Sequence, residues 1–212
     1  MLQKASQSGK AVIVLEHHGV VEHWTGESKL HPDYLVEDYR NVGKLLASYH
    51  VELAFTGHYH AQDITRGDFN GNGSIYDIET GSLITAPCPV RYCTITGNTI
   101  QIKSRTLAGE LHPGTDFEKN ADQFVWDTIE REAYNTLRQY RVTENDAHSI
   151  ADYITAGFMA HYKGDENISE KPAFDESKLS LWGRVVYSTR KYVVDGLWKD
   201  LPPADNNLTI DL

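Results

Sequence analysis

Four histidines stand in two groups, each at the end of an apolar segment: His17 and His18 close "AVIVLEHH", and His58 and His60 close "VELAFTGHYH". One histidine after a strand ordinarily does no more than satisfy a loop hydrogen bond, but neutral imidazole is also the commonest protein ligand for transition metals. If the two segments are neighbouring parallel strands, both groups arrive at the same sheet edge, where open α/β sheets keep their sites. The chemistry expected there is metal binding by these imidazoles. Seven of the ten histidines lie in the first 60 residues. Of the others nearby, His23 and His31 read as surface residues.

The elements that would position the histidines follow from hydropathy. "AVIVLE" at 11–16 is a continuous β-branched run, the pattern of a strand covered on both faces. Leu35, Tyr39, Val42, Leu46 and Tyr49 recur at three- and four-residue steps, which predicts an amphipathic helix. "VELAFT" is a second buried strand. Strand, helix and strand in this order make a βαβ unit with parallel strands and a right-handed crossover. Gly57 permits a tight turn after the second strand, and the i, i+2 spacing of His58 and His60 aims both rings to one side.

Beyond residue 60, "YDIETGSLIT", "RYCTIT" and "TIQIKSRT" read as an antiparallel meander that completes the sheet. "LHPGT" at 111–115 ends that pattern, and helical periodicity follows. One helix carries Phe117, Ala121, Phe124, Ile129, Tyr134 and Leu137. A second begins near Thr143, with Ile150, Ile154 and Phe158 on one face, and a third spans 177–195 and stops near Gly196. The chain therefore divides at about residue 112, into an α/β part over 1–112 and an α-helical extension over 113–212.

Acidic residues outnumber basic ones 30 to 20, a net charge of −10, which argues against broad attraction to nucleic acid. A small phosphorylated substrate held through a metal is compatible with that charge. No apolar run approaches the roughly 18 residues of a membrane span. Cys88 and Cys93, if joined by extended chain, stand about 16 Å apart against the ~4.4–6.8 Å a disulfide spans, so both read as free thiols. "DFNGNGSIYDIE" at 68–79 fits the calcium-loop pattern at Asp68, Asn70, Asn72, Gly73 and Glu79. Its flanks are β-type rather than helical and its Asn-Gly pairs favour a hairpin, so a turn is the first reading and calcium the second.

The series "AVIVLEHHGVVEHW", helix, "VELAFTGHYHAQD", "IYDIETGSL" resembles the calcineurin-like metallophosphoesterase family over roughly residues 10 to 107. The Gly-His-x-His element is Gly57, His58, Tyr59 and His60. The resemblance implies a four-layer αββα sandwich and a centre of two divalent transition metals (Mn, Fe, Zn or Ni) that hydrolyses phosphate esters. It matches His17, His58 and His60 to metal ligands, with His18 the adjacent alternative to His17. The family's earlier motifs, Asp-x-His, Gly-Asp-x-x-Asp and Gly-Asn-His, do not precede His17, and Asp146-Ala147-His148 lies on the wrong side of it. The expectation is therefore the C-terminal part of such an enzyme, with little activity alone and with exposed sheet edge through which it self-associates. The alternative is a non-catalytic metal- or calcium-binding module.

Overall fold

The computed structural model describes residues 1–211. After a short helix α1 (Leu2–Gln7), the first apolar run forms β1 (Ile13–Leu15). A loop containing the short helix α2 (Glu27–Leu30) leads to α3 (Tyr39–Ser48), which returns the chain to β2 (Leu53–Thr56). β1 and β2 are parallel, Leu15 opposite Phe55, as the βαβ pattern predicts. Leu46 and Ala47 of α3 are buried, and Leu46 packs with Val20, Val51, Ala54 and Ile75.

β1 is an edge strand, not one covered on both faces: Ile13 is 40% and Leu15 80% exposed. A run of apolar side chains signals burial on two faces only when a further element covers the second, and here none of the described residues does.

The β-rich middle is also divided differently from a single meander. β3 (Asp63–Asp68) and β4 (Ser74–Glu79) form a hairpin, and β4 pairs in parallel with β2, so the first sheet runs β1-β2-β4-β3. β5 (Pro89–Thr96) and β6 (Thr99–Thr106) form a second hairpin in a separate sheet. One apolar cluster unites Leu53, Ile64 and Ile78 of the first sheet with Ile100, Ile102 and Ile210 of the second. The molecule is thus a mixed α/β structure with two sheets.

After the one-turn helix α4 (Leu107–Leu111) come three long helices: α5 (Phe117–Gln139), α6 (Glu144–Lys163) and α7 (Leu181–Leu197). Thr143 caps α6 by accepting from the Asp146 N–H, and Ser180 caps α7 by accepting from the Gly183 N–H. Asp146 is 6% exposed and accepts the Ser180 hydroxyl at 2.5 Å, so this residue ties two helices together. Leu137, Val142, Ile150, Val186 and Val194 form their shared core. α6 ends at Gly164, φ +74°, where any Cβ would sit 2.2 Å from the Gln62 carbonyl oxygen.

The stretch after residue 112 is not helical throughout. β7 (Asn207–Asp211) returns to pair antiparallel with β6, completing the order β5-β6-β7. Its signal is the alternation of Leu208 and Ile210, which pack into the inter-sheet cluster, with the polar Asn207, Thr209 and Asp211. Leu212 lies outside the described residues.

Because Ile78 is fully buried between the sheets, Ile78→Ala is expected to cost about 2–5 kcal/mol, read as a lowered urea midpoint. A loss below about 1 kcal/mol would mean that the sheets do not pack through this side chain.

Candidate metal-binding site

Three parallel strands, β1, β2 and β4, end at one edge, and the loops that follow carry the predicted histidines. Backbone pairing continues past the strands: Glu16 N–H donates to Phe55 O at 3.0 Å, and Gly57 N–H to His17 O at 3.2 Å. This pairing brings His17 and His58 together although 41 residues separate them. His58 Nδ1 lies 2.8 Å from His17 Nε2, and the His18 and His58 ring centroids are 4.4 Å apart. One ligand atom from each of His17, His18 and His58 lies within 4.8 Å of the others.

His60, the third ligand that the resemblance implies, stands beside this group but not in it. Its Nδ1 is 2.9 Å from Thr85 Oγ1, in the loop after β4. Both His58 and His60 hold their protons less tightly than a free imidazole, chiefly through burial and then through neighbouring imidazoles: His18, His17 and His60 for His58, and His17 for His60. Metal ligation requires the neutral ring, so this environment favours the competent form. The donor set fits a borderline transition metal. Tetrahedral zinc, with Zn–N about 2.0–2.1 Å, separates its ligand nitrogens by about 3.4 Å, which a small opening of the His17–His58 contact supplies. No carboxylate joins the three imidazoles among the described residues.

The loop backbone is unusual at both His58 and His60. His58 has φ 72° and His60 φ 67°, left-handed conformations that non-glycine residues adopt only when their surroundings impose them. Tyr59, between them, supplies the restraint: its side chain is buried, and its N–H donates to Glu79 Oε1 at 2.9 Å. With Tyr59 anchored inward, the flanking imidazoles face the open edge.

The other histidine loop is fixed by the same strand. Asp77 Oδ2 accepts from the Val20 and Val21 N–H groups at 2.6 and 3.1 Å, and Oδ1 accepts from the Thr56 hydroxyl at 2.5 Å. Asp77 and Glu79 lie two residues apart on one face of β4, while Ile78 faces the second sheet. The residues that shape the site therefore include two carboxylates to which the sequence reading assigned no such role. The calcium pattern, the second reading of residues 68–79, needs Asp68 and Glu79 side by side, whereas the β3–β4 register sets Asp68 opposite Ser74 and Glu79 opposite Asp63, at opposite ends of the hairpin.

His23 is not a surface residue. It is 1% exposed, its Nδ1 lies 2.6 Å from Asp63 Oδ1, and its Nε2 lies 3.5 Å from Asp77 Oδ1. Nearby, Glu27 Oε2 accepts the His23 N–H at 2.6 Å, and His161 of α6 contacts Glu166 at 2.5 Å and Asp63 at 3.6 Å. Arg91 of β5 donates to the carbonyl oxygens of Glu79 and Asp63 at 2.7 and 3.2 Å. His31 is likewise half-buried, against Tyr34 and Tyr59. Charged residues so enclosed carry no hydropathy signal; only the alternation Asp77-Ile78-Glu79 hints at them. Cys88 and Cys93 are free thiols, the first half-buried and the second exposed.

No protein-family model matches the chain, and comparison with the curated proteins finds no match.

The buried network predicts a direction of pH dependence. Burial raises the Glu27 carboxyl from 4.5 to about 7 and, with Asp63 close by, the Asp205 carboxyl from 3.8 to about 9. For His23 burial opposes protonation, but Asp77 and Asp63 outweigh it and the pKa lies well above 6.5. All three groups bind their protons more tightly folded than unfolded, so the unfolded chain binds fewer protons and stability falls as pH rises. The His23 contribution is complete below 6.5 and lost above it; the Glu27 window runs from 4.5 to about 7, and that of Asp205 from 3.8 to about 9. The urea midpoint should therefore decline from pH 5 to pH 9, by at most about 1.4 kcal/mol per pH unit for each group. Asp205→Asn, neutral throughout, should flatten the decline between pH 7 and 9, and a midpoint that rises over this range would contradict the assignment.

Proposed function

We propose that the histidine edge is the imidazole part of a metal-dependent phosphoester hydrolase site of the calcineurin-like type. The observation that carries this reading is the convergence of His17, His18 and His58 from the ends of two parallel strands into one ligand group. The Gly-His-x-His element, Gly57 to His60, supports it, because its two histidines flank an inward-anchored Tyr59 and face the same edge. In this reading the two sheets are the inner layers of an αββα sandwich, and α3 belongs to an outer layer.

A divalent transition metal at this edge supplies Lewis acidity toward a phosphoryl group and activates water at neutral pH. The residues of the chain do the rest. His17 and His58 would hold the ion, and His18 is placed to replace or join His17. His60, steadied by Thr85, is the ligand available to a second ion. Asp77 and Glu79 hold the two loops at a fixed separation, so the ligand set is assembled before an ion arrives.

A non-catalytic metal-binding module is the second reading, favoured by the lack of a carboxylate in the three-imidazole group. A site of this composition holds one ion firmly and a second weakly, so turnover by this chain is expected to be slow.

Metal analysis after dialysis against Mn(II) or Zn(II) should find about one ion per chain, and His58→Ala should lower occupancy more than tenfold at fixed free metal. Hydrolysis of p-nitrophenyl phosphate should exceed the metal-only background and vanish in His58→Ala. Bound metal without turnover would select the module, and absence of metal from the wild type would remove both readings.

A further inference from the structure

A cavity of about 370 Å³ opens directly beside the histidine edge. Its walls come from both parts of the chain. The loops after β1 and β2 contribute His31, Tyr34, Tyr59 and His58, while Phe158 of α6 and one face of α5 close the other side. The rings form a continuous aromatic surface: Tyr34 to His58 at 4.5 Å, Tyr34 to Tyr59 at 5.3 Å, and Tyr59 to Phe158 at 6.4 Å between centroids.

The cavity has two chemically different ends. Thr85, the partner of His60, precedes Ala86, which packs with Val125 and against Ile129, so the Ile129 end of α5 adjoins the histidines. At the other end lies Tyr140, whose hydroxyl accepts from Arg190 Nη2 at 3.0 Å. An α-helix rises about 1.5 Å per residue, which puts these ends roughly 16 Å apart. Arg190 makes no ion pair with a carboxylate among the described residues, although the chain carries a net charge of −10. Held by Tyr140, its guanidinium presents a planar cation at the wall, suited to a ring face or to an acceptor on a ring edge.

We infer that this cavity receives the planar aromatic group of a phosphate ester whose phosphate lies at the histidine edge. Aromatic walls recognise a flat ring through stacking and apolar burial, and Arg190 stands at the end toward which a sugar-linked ring extends. The substrate class is thus a phosphoester bearing a planar ring, attached directly or through a sugar. This inference rests on the phosphoester reading for the position of the phosphate, but the ring site stands on the cavity itself.

The test is calorimetric titration of the metal-loaded full chain with 1-naphthyl phosphate, adenosine 5′-monophosphate and methyl phosphate. A ring-bearing ester should bind at least tenfold more tightly than methyl phosphate, and which of the two binds better identifies direct or sugar-linked attachment. Thr136→Trp, at an exposed position on the cavity wall, should remove this preference and leave metal content unchanged. Arg190→Gln, a milder change, should weaken adenosine 5′-monophosphate, whose sugar carries the ring toward the Arg190 end, at least threefold without affecting methyl phosphate. 1-Naphthol, titrated against metal-free protein, reads the ring site alone. Naphthol binding that Thr136→Trp abolishes, in a protein that holds no metal, would support the cavity and defeat the hydrolase reading. Bound metal with equal affinity for all three esters would overturn the inference and leave that reading standing.

Discussion

Two carboxylates on one face of one strand hold the histidine edge together. Asp77 and Glu79 of β4 are buried, and one oxygen of each accepts backbone N–H groups of a histidine loop: Val20 and Val21 for the first, Tyr59 for the second. A buried carboxyl group with incomplete hydrogen bonding is costly, so these contacts are effectively obligatory once β4 is in the sheet. The order β1-β2-β4 sets the strand ends side by side, and the carboxylates convert that adjacency into a defined spacing between rings. The left-handed backbone at His58 and His60 persists because Tyr59 is locked between them.

The same network joins the two parts of the chain. Asp63 meets His23 from the first loop and His161 from α6, while Asp205, beyond the helices, accepts the Ile64 N–H at 2.9 Å. Arg91 spans the sheets by donating to the carbonyl groups of Asp63 and Glu79. The long helices are therefore more than an appendage. α5, α6 and α7 complete the cavity whose opposite wall bears the metal-binding candidates.

Much of this arrangement was legible in the sequence where local periodicity carries the information. The βαβ unit, the convergence of His17 and His58, and all three long helices follow from apolar spacing and, for α6, from a cap at Thr143. What local pattern cannot carry is the choice of partner. The strands after residue 60 have unmistakable β character, but nothing in "RYCTIT" or "TIQIKSRT" says that they leave the first sheet for another. "AVIVL" announces burial, yet its position at an edge exposes Leu15. His23 and His31 looked like surface residues because a polar side chain is enclosed by its partners, and those come from β3, β4, α6 and loops distant in sequence.

The pairing of β7 with β6 bears on the order in which the chain folds. Residues 99–103 wait for residues 207–211, roughly a hundred positions later, and all three long helices are made in between. The helices are local structures and form quickly, whereas the second sheet stays a two-stranded hairpin until the last strand arrives. During synthesis the free side of β6 is thus an open row of backbone donors and acceptors next to Ile100 and Ile102. Residues 207–211 act as a latch: until they pair with β6, the nascent chain displays an association-prone edge.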